Sequence, residues 1–358
     1  MASNRPSTLL LRVDGFGWQD CLATGPGSAI LGSLLFSALF PAPMSVKFLL
    51  RVAGTLLLAW AAAAACVALH TPLPWMLGPL VATSVLSMAG APTESWGPLR
   101  NGGQWAIGAA LGLYFTPEVS ALVGSLWWAI VLGIGWALLL GWGFGAWLYR
   151  LHAPRMHGVP ASMLRSTSYF AGAIGAASEM TLLSERENAR TDLVAASHSL
   201  RLLIVTITIP FALQWSGLQG LDILTPTVRD VSWPGLALLA LLTGAGALVM
   251  DRLGRANPWF MGAMLVSMAV TMAGLHLSAV PQAVVNAAQL VIGVSLGVRF
   301  RAEFLHTAPR WLASVAVGTF GLMGICAAFA AVLAWATGLP WVTLLLGTSP
   351  GGITEMAI

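Results

Sequence analysis

From Phe48 onward the chain falls into long apolar blocks separated by short polar links. The blocks read as Phe48–Leu69, Leu73–Gly90, Leu99–Phe115 and Val119–Leu148, then a small-residue stretch, Gly158–Leu183, and Leu193–Leu213. A second series follows: Ser232–Met250, Asn257–Leu277, Ala283–Phe300, Ala308–Ala336, and a last segment from Leu339 to the end. Most approach the roughly 20 residues that cross a bilayer. In lipid each backbone amide must be satisfied within its own segment, so every block is expected to be helical. Residues 1–43 differ. Ser28–Phe40 is apolar but too short to span, and no clean signal-cleavage site follows it, so this part reads as an N-terminal extension without structural role.

The two series repeat each other. Leu73-Pro74-Trp75-Met76-Leu77-Gly78 recurs as Asn257-Pro258-Trp259-Phe260-Met261-Gly262, 184 residues later, and each copy runs on to Met-Ala-Gly. Gln104-Trp105-Ala106-Ile107-Gly108 matches Gln289-Leu290-Val291-Ile292-Gly293, and Glu179-Met180 matches Glu355-Met356. Three blocks recurring in one order mark an internal duplication, with residues 44–231 as the first copy and 232–358 as the second. After Glu179-Met180 the first copy continues into a further span; the second reaches Ile358 two residues after Met356, so a final span is expected beyond it.

Composition agrees with a bilayer. The chain is 57% hydrophobic and 8% charged, with 16 tryptophans and 39 glycines, against about 25% charged residues in soluble domains. Its mean hydropathy is +0.81. The bilayer is therefore its first partner, and the net charge of +4 is loop charge to be read for topology. Basic residues precede the first span of copy one (Lys47, Arg51) and follow its second and fourth (Arg100, Arg150, Arg155). In copy two they follow the first and third equivalents (Arg252, Arg255, Arg299, Arg301, Arg310). Both copies obey the positive-inside rule only if inverted relative to one another, which needs an odd number of crossings per copy. The expected fold is all-α and polytopic: two inverted repeats of about five spans each, with Gly158–Leu183 broken or re-entrant.

Chemistry is sparse. Glu179 and Glu355, flanked by Ser178 and Thr354, are carboxylates in apolar surroundings; each costs about 2.5–3.5 kcal/mol at a helix centre unless paired, protonated or hydrated. Broken helices of inverted repeats meet near the midplane and bind substrate or coupling ions there. These two, with Gly351 and Gly352, lead the candidate list; local capping is the alternative. Gln104 and Gln289 can bond across helices or contact a solute. Arg165 lies in the small-residue segment, and His198 and Arg201, three apart, share one helix face. Either arginine could bind an anion or neutralise Glu179. Cys21, Cys66 and Cys326 are scattered and the histidines lack ligand spacing, so neither metal nor cofactor is implied. No soluble domain or basic stripe offers a nucleic-acid surface. A homo-oligomer stays open.

The repeat, the Pro-Trp-x-x-Gly element, the glutamine block and Pro350-Gly351-Gly352-Ile353-Thr354-Glu355-Met356 together resemble the AbrB-type membrane protein family, a duplicated group that also carries an ammonia monooxygenase label. The resemblance covers about Val46–Ile358. Copy one departs from it, with Ala173-Ile174-Gly175-Ala176 in place of Pro-Gly-Gly. The resemblance implies an inner-membrane protein linked to regulation of gene expression, and an inverted plan similar to the cation/proton antiporter and anion transporter superfamily. A secondary carrier for a small solute is the leading expectation and a non-transporting sensor the other. The oxidase label finds no cluster of copper or iron ligands behind it.

Overall fold

The computed structural model describes residues 45–156, 158–175, 177–216, 230–300 and 308–351. The expected N-terminal extension lies outside these residues. Among them are thirteen helices and no strand: α1 Val46–Ala68, α2 Pro74–Met88, α3 Gly97–Gly112, α4 Pro117–Ser125, α5 Trp127–His152, α6 Ala161–Gly172, α7 Ala177–Arg186, α8 Thr191–Ser216, α9 Trp233–Arg252, α10 Pro258–Met272, α11 Gln282–Gly297, α12 Pro309–Thr337 and α13 Trp341–Thr348. Five of them, α1, α5, α8, α9 and α12, are long and apolar enough to cross a membrane singly, and α3 with α4 makes a sixth candidate bent by 85°. The packing below belongs to the compact unit that begins at Leu50.

One expected span is corrected. Val119–Leu148 reads as one straight helix in sequence, but it divides at Leu126 into α4 and α5. Gly124 and Ser125 sit at the division, and the Ser125 hydroxyl donates to the Leu122 carbonyl at 2.7 Å. A glycine–serine pair weakens the helical ladder at the point where such helices kink. Thr116 then caps α4 by accepting from the Val119 amide, with Pro117 in the first turn.

The helices pack in two groups. In one, α2 lies on α11, α3 on α10 and α11, and α9 on α10. These contacts are reciprocal between the duplicated segments. A Cβ added at Gly108 of α3 would collide with the Phe260 carbonyl of α10, and one at Gly293 of α11 would lie 2.6 Å from the Met76 carbonyl of α2. Phe260 and Met76 are themselves equivalent positions of the repeat. Likewise a Cβ added at Gly78 would lie 2.7 Å from the Ala62 carbonyl of α1, and one at Gly262 would lie 2.5 Å from the Gly246 carbonyl of α9. Small residues let helices approach closely where lipid provides no hydrophobic drive. That residue i of one copy meets j of the other, and j meets i, is the pattern of an isologous two-fold contact. The entries into α2 and α10 match too: Leu73 and Asn257 are both left-handed, at φ 43° and φ 49°, ahead of first-turn prolines.

In the second group α5, α6, α7, α8 and α12 surround a core of Leu140, Phe144, Leu148, Leu164, Val194 and Trp311, and α13 packs on α12. The two groups meet along α8, whose Leu202, Leu203, Ile207 and Phe211 pack on the cluster of Leu77, Leu80 and Leu296.

Candidate functional site

The expected break in Gly158–Leu183 has a defined position. Helix α6 ends at Gly172, Ala173 turns extended at φ −55° and ψ 138°, and the helix resumes as α7 at Ala177. A helix that stops leaves its last carbonyls without intrahelical partners, and burial makes each of them costly. The solution comes from α8. His198 Nε2 lies 2.8 Å from the Phe170 carbonyl. Arg201 donates to the carbonyls of Ala171 at 3.5 Å, Gly172 at 3.2 Å and Ala173 at 2.8 Å. The same guanidinium lies 3.0 Å from His198 Nδ1. A carbonyl only accepts, so Nε2 carries the imidazole proton and donates it to Phe170. Nδ1 must then accept from Arg201, and the ring is neutral in this arrangement.

His198 and Arg201 are 2% and 3% exposed, so this is a buried clamp. Among the described residues every partner of Arg201 is neutral. Its positive charge faces the negative end of the α6 dipole, where a cation is favoured. The planar fork is what allows one side chain to serve three carbonyls; a lysine ammonium has no such reach.

Other contacts hold the clamp in place. Trp311 of α12 donates from Nε1 to the Ser197 hydroxyl at 2.8 Å, one residue before His198. The Arg190 amide donates to the Thr167 hydroxyl at 2.9 Å, tying the α7–α8 link back to α6. Gly172 sits against α5, where an added Cβ would lie 2.8 Å from the Gly141 carbonyl and would strike the Gly145 backbone. Gly141 and Gly145 form a G-x-x-x-G spacing, a sequence signal for this close approach that the motif reading passed over. Trp311, Ser197 and Thr167 gave no comparable signal.

The remaining candidates fall as follows. Glu179 and Ser178 are in the first turn of α7, and the Glu179 side chain is half-buried. A carboxylate there suits the positive end of α7. Among the described residues no cation pairs with it; ion pairs join Arg51 to Glu94 at 3.7 Å and Arg190 to Asp192 at 2.6 Å. Arg165 is exposed, with its guanidinium carbon 5.4 Å from the centre of the Tyr149 ring. Gln104 is half-buried on α3 and Gln289 buried on α11, within the reciprocal group and apart from the clamp's contacts. Gly351 follows α13, whose cap residue Ser349 has φ −67° and ψ 147°, close to the values at Ala173, the cap residue of α6. Each of these cap residues stands six residues ahead of the glutamate of its Glu-Met pair. Gly352, Thr354 and Glu355 lie outside the described residues. Among the described residues no group of His, Cys, Asp and Glu side chains is placed to hold a metal ion.

A sequence profile described as "Transition state regulatory protein AbrB" matches residues 75–358. The chain belongs to the AbrB family. It is 25% identical over 296 residues to "Putative regulator AbrB" of Escherichia coli (strain K12), which spans 81% of this chain and 82% of that protein. It is 23% identical over 310 residues to "Uncharacterized protein YhjN" of Bacillus subtilis (strain 168), across 79% and 78% respectively. No solved structure matches. With its apolar helices of spanning length, this AbrB-family chain is a multi-pass membrane protein.

Proposed function

We propose that this protein is an inner-membrane carrier for a small solute, with the α6–α7 break as the place where the solute crosses. The observation that carries the reading is the buried clamp on the broken helix. An interrupted helix inside an apolar protein exposes backbone charge that a purely structural span would avoid, and such interruptions form binding sites in carriers. Arg201 and His198 fix the carbonyl side of the break. The amide side, the start of α7, holds Glu179. In this reading Glu179 contacts the solute or a coupling proton, and Glu355 does the same from the second copy. The arginine pattern supports copies that are inverted, and the reciprocal glycine contacts fit a two-fold axis lying in the membrane plane.

A regulatory role is the second reading, favoured by the printed descriptions of the family and of the Escherichia coli relative. In that reading regulation acts through the solute that is moved or sensed. Uptake into proteoliposomes separates the two. A panel of labelled monocarboxylates, dicarboxylates and amino acids is expected to include one that the protein accumulates, with Glu179→Gln slowing it at least tenfold. Flux unchanged in Glu179→Gln removes that residue from the site, and no flux for any panel member favours the sensor.

A further inference from the structure

Backbone carbonyls at the C-terminal end of an interrupted helix coordinate alkali cations in carriers. Here four such carbonyls, Phe170 to Ala173, are occupied by side chains of the same chain. We infer that the carbonyl end of α6 is a monovalent-cation site whose cation is built into the chain, the Arg201 guanidinium standing where a free sodium or potassium ion would otherwise sit. Three features support this. Among the described residues the guanidinium has no carboxylate partner, and its charge faces the carbonyl ends and the helix dipole, as a bound cation's would. It is buried to the point of leaving no open approach. His198 presents its acceptor nitrogen to the guanidinium and its donor to the remaining carbonyl, so the ring completes the coordination of one cation without adding charge.

The consequence is exclusion. A second cation at the same carbonyls would be repelled by the like charge of the guanidinium in this low-dielectric site. Alkali ions therefore do not occupy this end of the break in the native protein. For transport, which rests on the carrier reading above, solute passage draws no sodium or potassium at this position. The occupancy itself does not depend on that reading.

The experiment is thermal unfolding of the full-length protein in detergent, followed by tryptophan fluorescence. Wild type is expected to melt at the same temperature in sodium, potassium and choline chloride of equal ionic strength. Arg201→Ala is expected to melt several degrees lower and to recover at least half of that loss in ethylguanidinium chloride, which replaces the deleted atoms. Choline at the same concentration should restore none of it. If Arg201→Ala does not accumulate, Arg201→Lys and Arg201→Met decide the matter, since both keep an apolar stem and only lysine keeps the charge; lysine should melt higher. The inference is overturned by a sodium-dependent rise in the wild type, by no ethylguanidinium rescue, or by methionine equal to lysine. Failure of solute uptake in wild type would contradict the carrier reading and leave these melting results standing.

Discussion

Replacing Gly108 with alanine is expected to destabilise the protein more than any other single methyl group added to α3. The new Cβ would meet the carbonyl oxygen, carbonyl carbon and Cα of Phe260, all backbone atoms of α10. Backbone cannot rotate aside as a side-chain tip can, so the helices must separate along a contact that is close over several turns. Overpacking in a rigid core costs about 1–3 kcal/mol and sometimes more, and this site belongs at the upper end. Gly293→Ala, which places its methyl 2.6 Å from the Met76 carbonyl across the equivalent contact, should behave alike. Gly133 of α5 has nothing within 4 Å of an added Cβ. Gly133→Ala is therefore expected to be neutral or to stabilise by up to about 1 kcal/mol through helix propensity. Melting temperatures of the three variants check this: Gly108→Ala and Gly293→Ala well below wild type and close together, Gly133→Ala at or above it. Gly108→Ala melting like Gly133→Ala would show that α3 and α10 are not in backbone contact.

His198→Leu is the second large effect. Leucine approximates the imidazole's bulk but leaves the Phe170 carbonyl and one N–H of the Arg201 guanidinium unpartnered in a buried site, while the same nitrogen keeps its bond to the Ala173 carbonyl. An orphaned buried group costs about 1–3 kcal/mol, and more when charged. The loss should therefore exceed that of His198→Gln, whose amide can both donate and accept. Equal melting temperatures for the leucine and glutamine variants would mean that His198 acts as filling and not as a link between Arg201 and α6. Leu202→Met, one residue beyond Arg201 on the apolar face of α8, provides a baseline for conservative change on the same helix.

The residue pattern carried much of this architecture. Block lengths placed most helices, and the change from leucine to glycine, alanine and serine at Gly158–Leu183 placed the break. The repeat placed matching entries at Leu73 and Asn257. What the pattern did not carry has physical causes. The division at Leu126 turns on a Gly124-Ser125 pair inside an otherwise apolar run, which hydropathy averages away. Which helices meet is decided by backbone approach at Gly108, Gly293, Gly78 and Gly262, and a glycine leaves no side-chain period to read. The role of Arg201 was hidden for a different reason. Its partners are main-chain carbonyls, and any residue type supplies those, so a search for a paired carboxylate could not find them. The Glu-Met pairs were conspicuous as rare charges. The clamp that the structure adds lies in α8, about twenty residues further along the chain from Glu179.

In the proposed carrier, the break between α6 and α7 is a solute site reached from both sides of the membrane. Its most direct test is thiol accessibility at Gly175, an exposed residue in the break, with Cys21, Cys66 and Cys326 replaced. Gly175→Cys in sealed vesicles is predicted to react with a charged, membrane-impermeant thiol reagent whichever face receives it. Leu138→Cys, on a bilayer-facing position of α5 that is 70% exposed, should stay unreactive from both, because a thiolate needs water to form. Reaction of Gly175→Cys from one face only, as for a surface loop, or no reaction beyond that of Leu138→Cys, would contradict the account.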